Sequence, residues 1–174
     1  MAGVKARLVT NLLTMYADYN EKVLVRMTPA AEHGILIYKI QVDIDPNGRN
    51  AAKVAQIILK KVHATDGTMI AKDVDNDGTG APLRLSKIDN DPETLQTVCH
   101  VFKNASGHVN PGSLSPIPII DSRQVTVGGT GITTVIFSFP RGLKIDESVG
   151  FAVAFDDGAA SAFAKLTVVI DFEE

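Results

Sequence analysis

The sequence predicts an all-β fold, an antiparallel sandwich or barrel, and three observations carry that prediction. Short apolar-alternating runs recur along the whole chain, roughly nine or ten of them by strand signals. Turn residues punctuate them, with 14 Gly and 8 Pro among 174 residues. The stretch from Gly131 to Phe172 then reads in steps of two as three large-residue faces. These are Val135, Phe137 and Phe139; Val149, Phe151, Val153 and Phe155; and Leu166, Val168, Ile170 and Phe172. Period two is the mark of strands with one face in a core. No βαβ alternation or internal repeat is visible, which sets aside doubly wound folds, propellers and solenoids.

From the start of the chain, residues 4–19 support two readings. Val4, Leu8, Leu12, Met15 and Tyr19 make a helical stripe, while Thr10, Thr14 and Leu12-Leu13 suit a strand. The segment either closes one end of the core or serves, over 1–20, as an N-terminal arm for a partner. Val23 and Val25 begin a strand that stops at Thr28-Pro29, because proline cannot donate to a ladder. Gly34 opens the cleanest strand. Leu36, Tyr38, Ile40, Val42 and Ile44 are expected on one face and Lys39, Gln41, Asp43 and Asp45 on the other. Asp45-Pro46-Asn47-Gly48 ends it with turn chemistry.

Residues 50–63 are open between helix and strand. Asn50 could cap a helix carrying Val54, Ile57, Ile58 and Val62. Alternatively, Ala64-Thr65-Asp66-Gly67-Thr68 turns a hairpin from Ile57–Ala64 into Thr68–Asp73, and the β character of the rest leans that way. Short strands follow near Leu83–Ile88 and Leu95–Phe102, with loops at 73–82 and 104–118. Ile119 to Val127 is another strand, and Gly128-Gly129-Thr130-Gly131 reads as a hairpin turn into the C-terminal block.

At this length the chain is read as one domain, 1–174, able to bury about 70% of its unfolded surface without a metal or disulfide. The net charge is −3 with scattered cations, whereas phosphate neutralisation needs a basic cluster. Direct nucleic-acid binding is therefore not expected. The single Cys99 excludes an internal disulfide and paired-cysteine zinc patterns. No signal peptide and no 18-residue apolar span are seen, so synthesis in a cytoplasm is expected.

Asp73, Asp75 and Asp77, followed by Gly78, are the candidate metal ligands. Alternating acidic positions with a glycine bend can wrap oxygen atoms around calcium. Arg84 stands where an EF-hand loop needs its bidentate Glu, so a looser calcium loop or a solvated acidic turn remains. No other cofactor is expected. Cys99 and His100 are neighbours on a strand, which places them on opposite faces and argues against a thiol–imidazole pair. His33, His63 and His108 lie in or near turns without ligand spacing. Gly128–Gly131 lacks the Lys-Ser/Thr of a phosphate loop, and no hydrolase elbow or zincin helix occurs. The absence of Trp and the three Tyr count against stacking platforms for sugars or bases.

Opposite the large face of residues 149–155 lie Gly150, Ala152 and Ala154. A face without bulk admits another layer, either within the subunit or as a flat contact between subunits. These three are the candidate interface residues.

The short strands, the Pro/Gly-punctuated loops and the closing segment from Phe139-Pro-Arg-Gly through Val149-Gly-Phe-Ala-Val-Ala-Phe155 resemble single jelly-roll structural proteins of virus and bacteriophage particles. The resemblance is one of pattern over most of the chain. It implies an antiparallel β-sandwich of jelly-roll type, about 8–10 strands with at most one or two short helices. It also implies a non-enzymatic capsid or decoration subunit in the virion, contacting copies of itself and other virion proteins. Many small capsid proteins carry an Arg-rich N-terminal arm that this chain lacks, so this subunit would not condense the genome. The alternative function is a calcium-assisted carbohydrate-binding β-sandwich using Asp73–Asp77; a cupin-type enzyme would need clustered His and carboxylate ligands.

Overall fold

The computed structural model describes residues 3–10, 13–14, 21–29, 33–47, 52–63, 83–88, 97–101, 119–147, 149–156 and 164–174. Among them are β1 (Lys5–Thr10), β2 (Leu13–Thr14), β3 (Glu21–Thr28), β4 (Ile35–Asp45), β5 (Lys53–His63) and β6 (Leu83–Lys87). These are followed by β7 (Val98–Val101), β8 (Ile119–Val127), β9 (Thr133–Ile145), β10 (Val149–Asp156) and β11 (Lys165–Glu173). No described residue is helical, so none belongs to a helix long and apolar enough to cross a membrane.

The strands form two sheets. One has the order β6-β1-β11-β4-β9, with β2 also on β11; the other has β7-β3-β10-β5-β8. Every pairing is antiparallel. The order is nested: β1 pairs β11, β3 pairs β10, β4 pairs β9, and β5 pairs β8. A long hairpin of those four pairs, rolled up so that β11 meets β4 and β10 meets β5, is the double-sheet jelly roll. The fold is an antiparallel β-sandwich.

Alternation explains the core. On β11, Leu166, Val168, Ile170 and Phe172 are buried, and on β10 Phe151, Val153 and Phe155 are. Val135 and Phe137 of β9 join them, with Phe139 packed partly against the same cluster. Fully burying a side chain of this size contributes about 1.5–3 kcal/mol.

Two readings left open are decided over the described residues, and one expectation is corrected. Residues 53–63 are a strand, not a helix, because β5 is wedged between β10 and β8, where its backbone groups find ladder partners. The start of the chain is sheet over 5–10 and 13–14, which is the strand reading. β1 lies between β6 and β11, and where its ladder ends Thr10 Oγ1 accepts the Val168 N–H at 2.9 Å. The Gly128–Gly131 turn is not a hairpin. It carries the chain from β8 in one sheet to β9 in the other, with Gly129 at φ 79°.

A second correction concerns β4. Ile35 and Ile37 are buried, Leu36 and Tyr38 only partly, and the buried phase resumes at Ile40, Val42 and Ile44. The register on both neighbours steps from Ile37 to Lys39. Tyr38 is therefore a bulge residue, and a bulge flips the face of everything beyond it. On β9 the same step spans Phe139 to Gly142, between Ser138 and Leu143. Gly142 has φ 75°, and a Cβ there would stand 3.2 Å from Leu36 Cδ2. A side chain would be strained on both counts.

Candidate functional site

Asp73, Asp75 and Asp77 lie outside the described residues, as do His108 and the turn at 64–68. Among the described residues no group of three or more His, Cys, Asp or Glu is placed to hold a metal. Cys99 and His100 are consecutive residues of β7, in register with Met27 and Arg26. His33 is exposed just before β4 and His63 closes β5 opposite Val149. Among the described residues, His33, His63 and the Cys99–His100 pair stand on separate segments.

Gly150, Ala152 and Ala154 lie on the outer face of β10, away from the core cluster. They are nonetheless covered within the single chain, Ala152 being 2% and Ala154 0% exposed. The register places Ala152 between Arg26 of β3 and Lys60 of β5, and Ala154 beside Ile58. Directly opposed residues have Cβ atoms about 4.5–5.5 Å apart, so long neighbours flank a row of small ones. Their burial needs no second subunit.

The outer face of the other sheet is built differently. Arg7 and Asp171 are opposed on β1 and β11 and form a bidentate pair, Nε–Oδ1 2.5 Å and Nη2–Oδ2 2.9 Å. Lys39 continues the row across β4. Asp43 Oδ1 accepts from Thr134 Oγ1 at 2.7 Å, and Gln41 Nε2 donates to both Asp43 oxygens. These partners lie within the sheet on a solvated face, where such pairs contribute little to stability.

At the two lateral sides, side chains reach from sheet to sheet. On one, Glu174, just past β11, accepts both the Thr97 N–H at 2.7 Å and the Thr97 hydroxyl at 2.5 Å. Thr97 is 5% exposed and leads into β7 of the opposite sheet. Glu173 accepts from the Gly3 N–H at 3.2 Å and from the Tyr38 hydroxyl at 2.9 Å. That bond to a carboxylate, which stabilises the neutral phenol, holds the Tyr38 pKa above its ordinary value. Val4 and Glu174 exchange two backbone hydrogen bonds at 2.9 and 3.0 Å.

On the other side, Arg123 does the bridging. It stands opposite Ile57, hence on the inner side of β8. Its guanidinium lies 4.5 Å from the centre of the Phe137 ring and donates to the Ile136 carbonyl. Sequence reasoning missed this residue. The signal available was a charged side chain on the same alternation phase as Val125 and Val127.

The four sheet edges also differ among the described residues. β6 has five residues and β7 four. β9 is interrupted at Pro140–Gly142. β8 keeps regular pairing with β5 from Asp121 to Val127, and Ser122, Gln124 and Thr126 are exposed. Short strands, proline, lysine, bulges and inward-facing charges are the usual means of blunting an edge; Ile119–Val127 contains neither proline nor lysine, and its bulge lies at its start, at Ile120.

No family model matches the chain, and no curated protein matches it in sequence.

Proposed function

We propose that this chain is a non-enzymatic structural subunit of a virion, a capsid or decoration protein that works through contacts between subunits. The observation that carries the reading is the nested jelly-roll strand order around a filled interior. Jelly rolls serve as capsid subunits, lectins and cupins, so the fold is one argument among several. In this chain the space between the sheets, where a cupin-type scaffold gathers its ligands, holds Phe137, Phe151, Phe155 and Phe172 at near-zero exposure. Some charged groups of the described surface are matched within a sheet or across the sandwich edge, as with Arg7–Asp171 and Arg123. That leaves outer faces and edges as the working surfaces, which suits assembly.

Multi-angle light scattering and electron microscopy of the purified chain test the reading. The expected result is concentration-dependent association into rings, shells or a layer on virion shells. A strict monomer at high concentration, with no affinity for virion proteins, would contradict it.

A further inference from the structure

We propose that two copies of this chain pair through β8, antiparallel about a two-fold axis at Ser122, so that the β7-β3-β10-β5-β8 sheet runs on into the second subunit. The proposal deepens the structural reading above and rests on it. The first ground is the edge itself. Among the described residues β8 has a strand partner on one side only, β5, it is longer than β6 and β7, and past a bulge at Ile120 its pairing runs unbroken from Asp121 to Val127. An open edge that stays regular over seven residues presents a row of backbone donors and acceptors that template another strand.

The second ground is charge complementarity, and it selects both the occupant and the register. Neighbouring residues of a strand turn their N–H and C=O groups to opposite sides. A strand paired with its own copy must therefore set one residue opposite itself on the axis. An axis at Asp121 puts two carboxylates face to face, and an axis at Arg123 puts two guanidinium groups face to face. An axis at Gln124 leaves Arg123 opposite Val125 and Asp121 opposite Val127. An axis at Ser122 sets Asp121 opposite Arg123 twice, once on each side of the dyad. Opposite charges directly across a strand pair stabilise it and like charges destabilise it. The contact is isologous, as a closed dimer requires.

The local geometry is compatible. Ser122 is exposed, and its N–H donates to Asp121 Oδ1 at 2.7 Å, so a carboxylate covers an edge amide that a second strand would take up. Arg123 uses one hydrogen bond on the Ile136 carbonyl, and a guanidinium carries five N–H donors.

The test exploits the residue on the dyad. Ser122→Lys and Ser122→Glu each place like charges against each other only in the dimer. Sedimentation velocity over a concentration series should show each variant associating roughly tenfold or more weakly than the wild-type chain. Both variants should keep the wild-type melting temperature, because Ser122 is exposed. Mixing the two variants one to one should restore association as a heterodimer. If the variants associate as the wild type does, or if the mixture stays dissociated, the β8 contact is wrong while the structural reading stands. If the wild-type chain neither self-associates nor binds virion proteins, both fall together.

Discussion

The two lateral sides of this sandwich solve the same problem with different chemistry. At the β6/β7 side the strands are short, and the seam is latched by a carboxylate, Glu174, accepting two hydrogen bonds from the buried Thr97. At the β8/β9 side the strands are long, and the described bridge is the exposed Arg123 resting on Phe137. A charge-assisted bond to a buried group is worth more than a contact at an exposed one. The comparison therefore teaches that the β6/β7 side belongs to the fold's own stability, whereas the β8/β9 side is closed lightly and keeps an edge available.

The largest effect should follow from breaking the latch. Glu174→Ala leaves the Thr97 N–H and hydroxyl without their acceptor in a buried setting, at a cost of about 1–3 kcal/mol. Thermal unfolding should then come several degrees lower, by roughly 2–12 °C at this chain length. Glu174→Gln, which keeps an acceptor, should recover part of that loss.

Arg123→Ala should cost less, about 0.5–1 kcal/mol, as expected for a cation over a ring at an exposed site. If the β8/β9 change proved the more damaging of the two, the distinction between a latched and an open side would be lost. Chemical denaturation of both variants side by side makes the comparison.

A smaller effect should come from Tyr38→Phe. The Tyr38 hydroxyl donates to Glu173, and its pKa is raised in the folded chain. A raised pKa means that the neutral phenol is favoured by folding, so its contribution is fully present below the unfolded value near 10. The contribution is lost as pH rises through the higher folded value. The melting-temperature difference between wild type and Tyr38→Phe should accordingly be steady from pH 6 to pH 9 and shrink above about pH 10.

Much of the fold was legible in the sequence because burial follows period two. The faces of β10 and β11 read directly from Phe151, Val153 and Phe155 and from Leu166 to Phe172, and Thr28-Pro29 marked the end of β3. The bulge at Tyr38 was not legible. Leu36, Tyr38, Ile40, Val42 and Ile44 keep an unbroken alternation, and only pairing with β9 and β11 shows that the phase slips. The crossing at Gly128–Gly131 was hidden for a similar reason. Its glycines permit a hairpin or a sheet-to-sheet turn, and the choice lies with β5 and β4, far away in the chain. For the candidate site, Gly150, Ala152 and Ala154 were legible as a row of small residues, while Arg26 and Lys60 beside them were invisible without register. The β8 edge was legible in composition alone, in a run without proline or lysine, but edge status is a property of the sheet order.

Pairing of subunits through β8 can be read from amide hydrogen exchange at low and high protein concentration. The edge-facing amides of Ser122 and Gln124 should become slower to exchange as concentration rises, while those of β9 from Thr133 to Phe139 keep their rates. Unchanged β8 exchange in a sample that is visibly associating, with protection arising elsewhere, would contradict it.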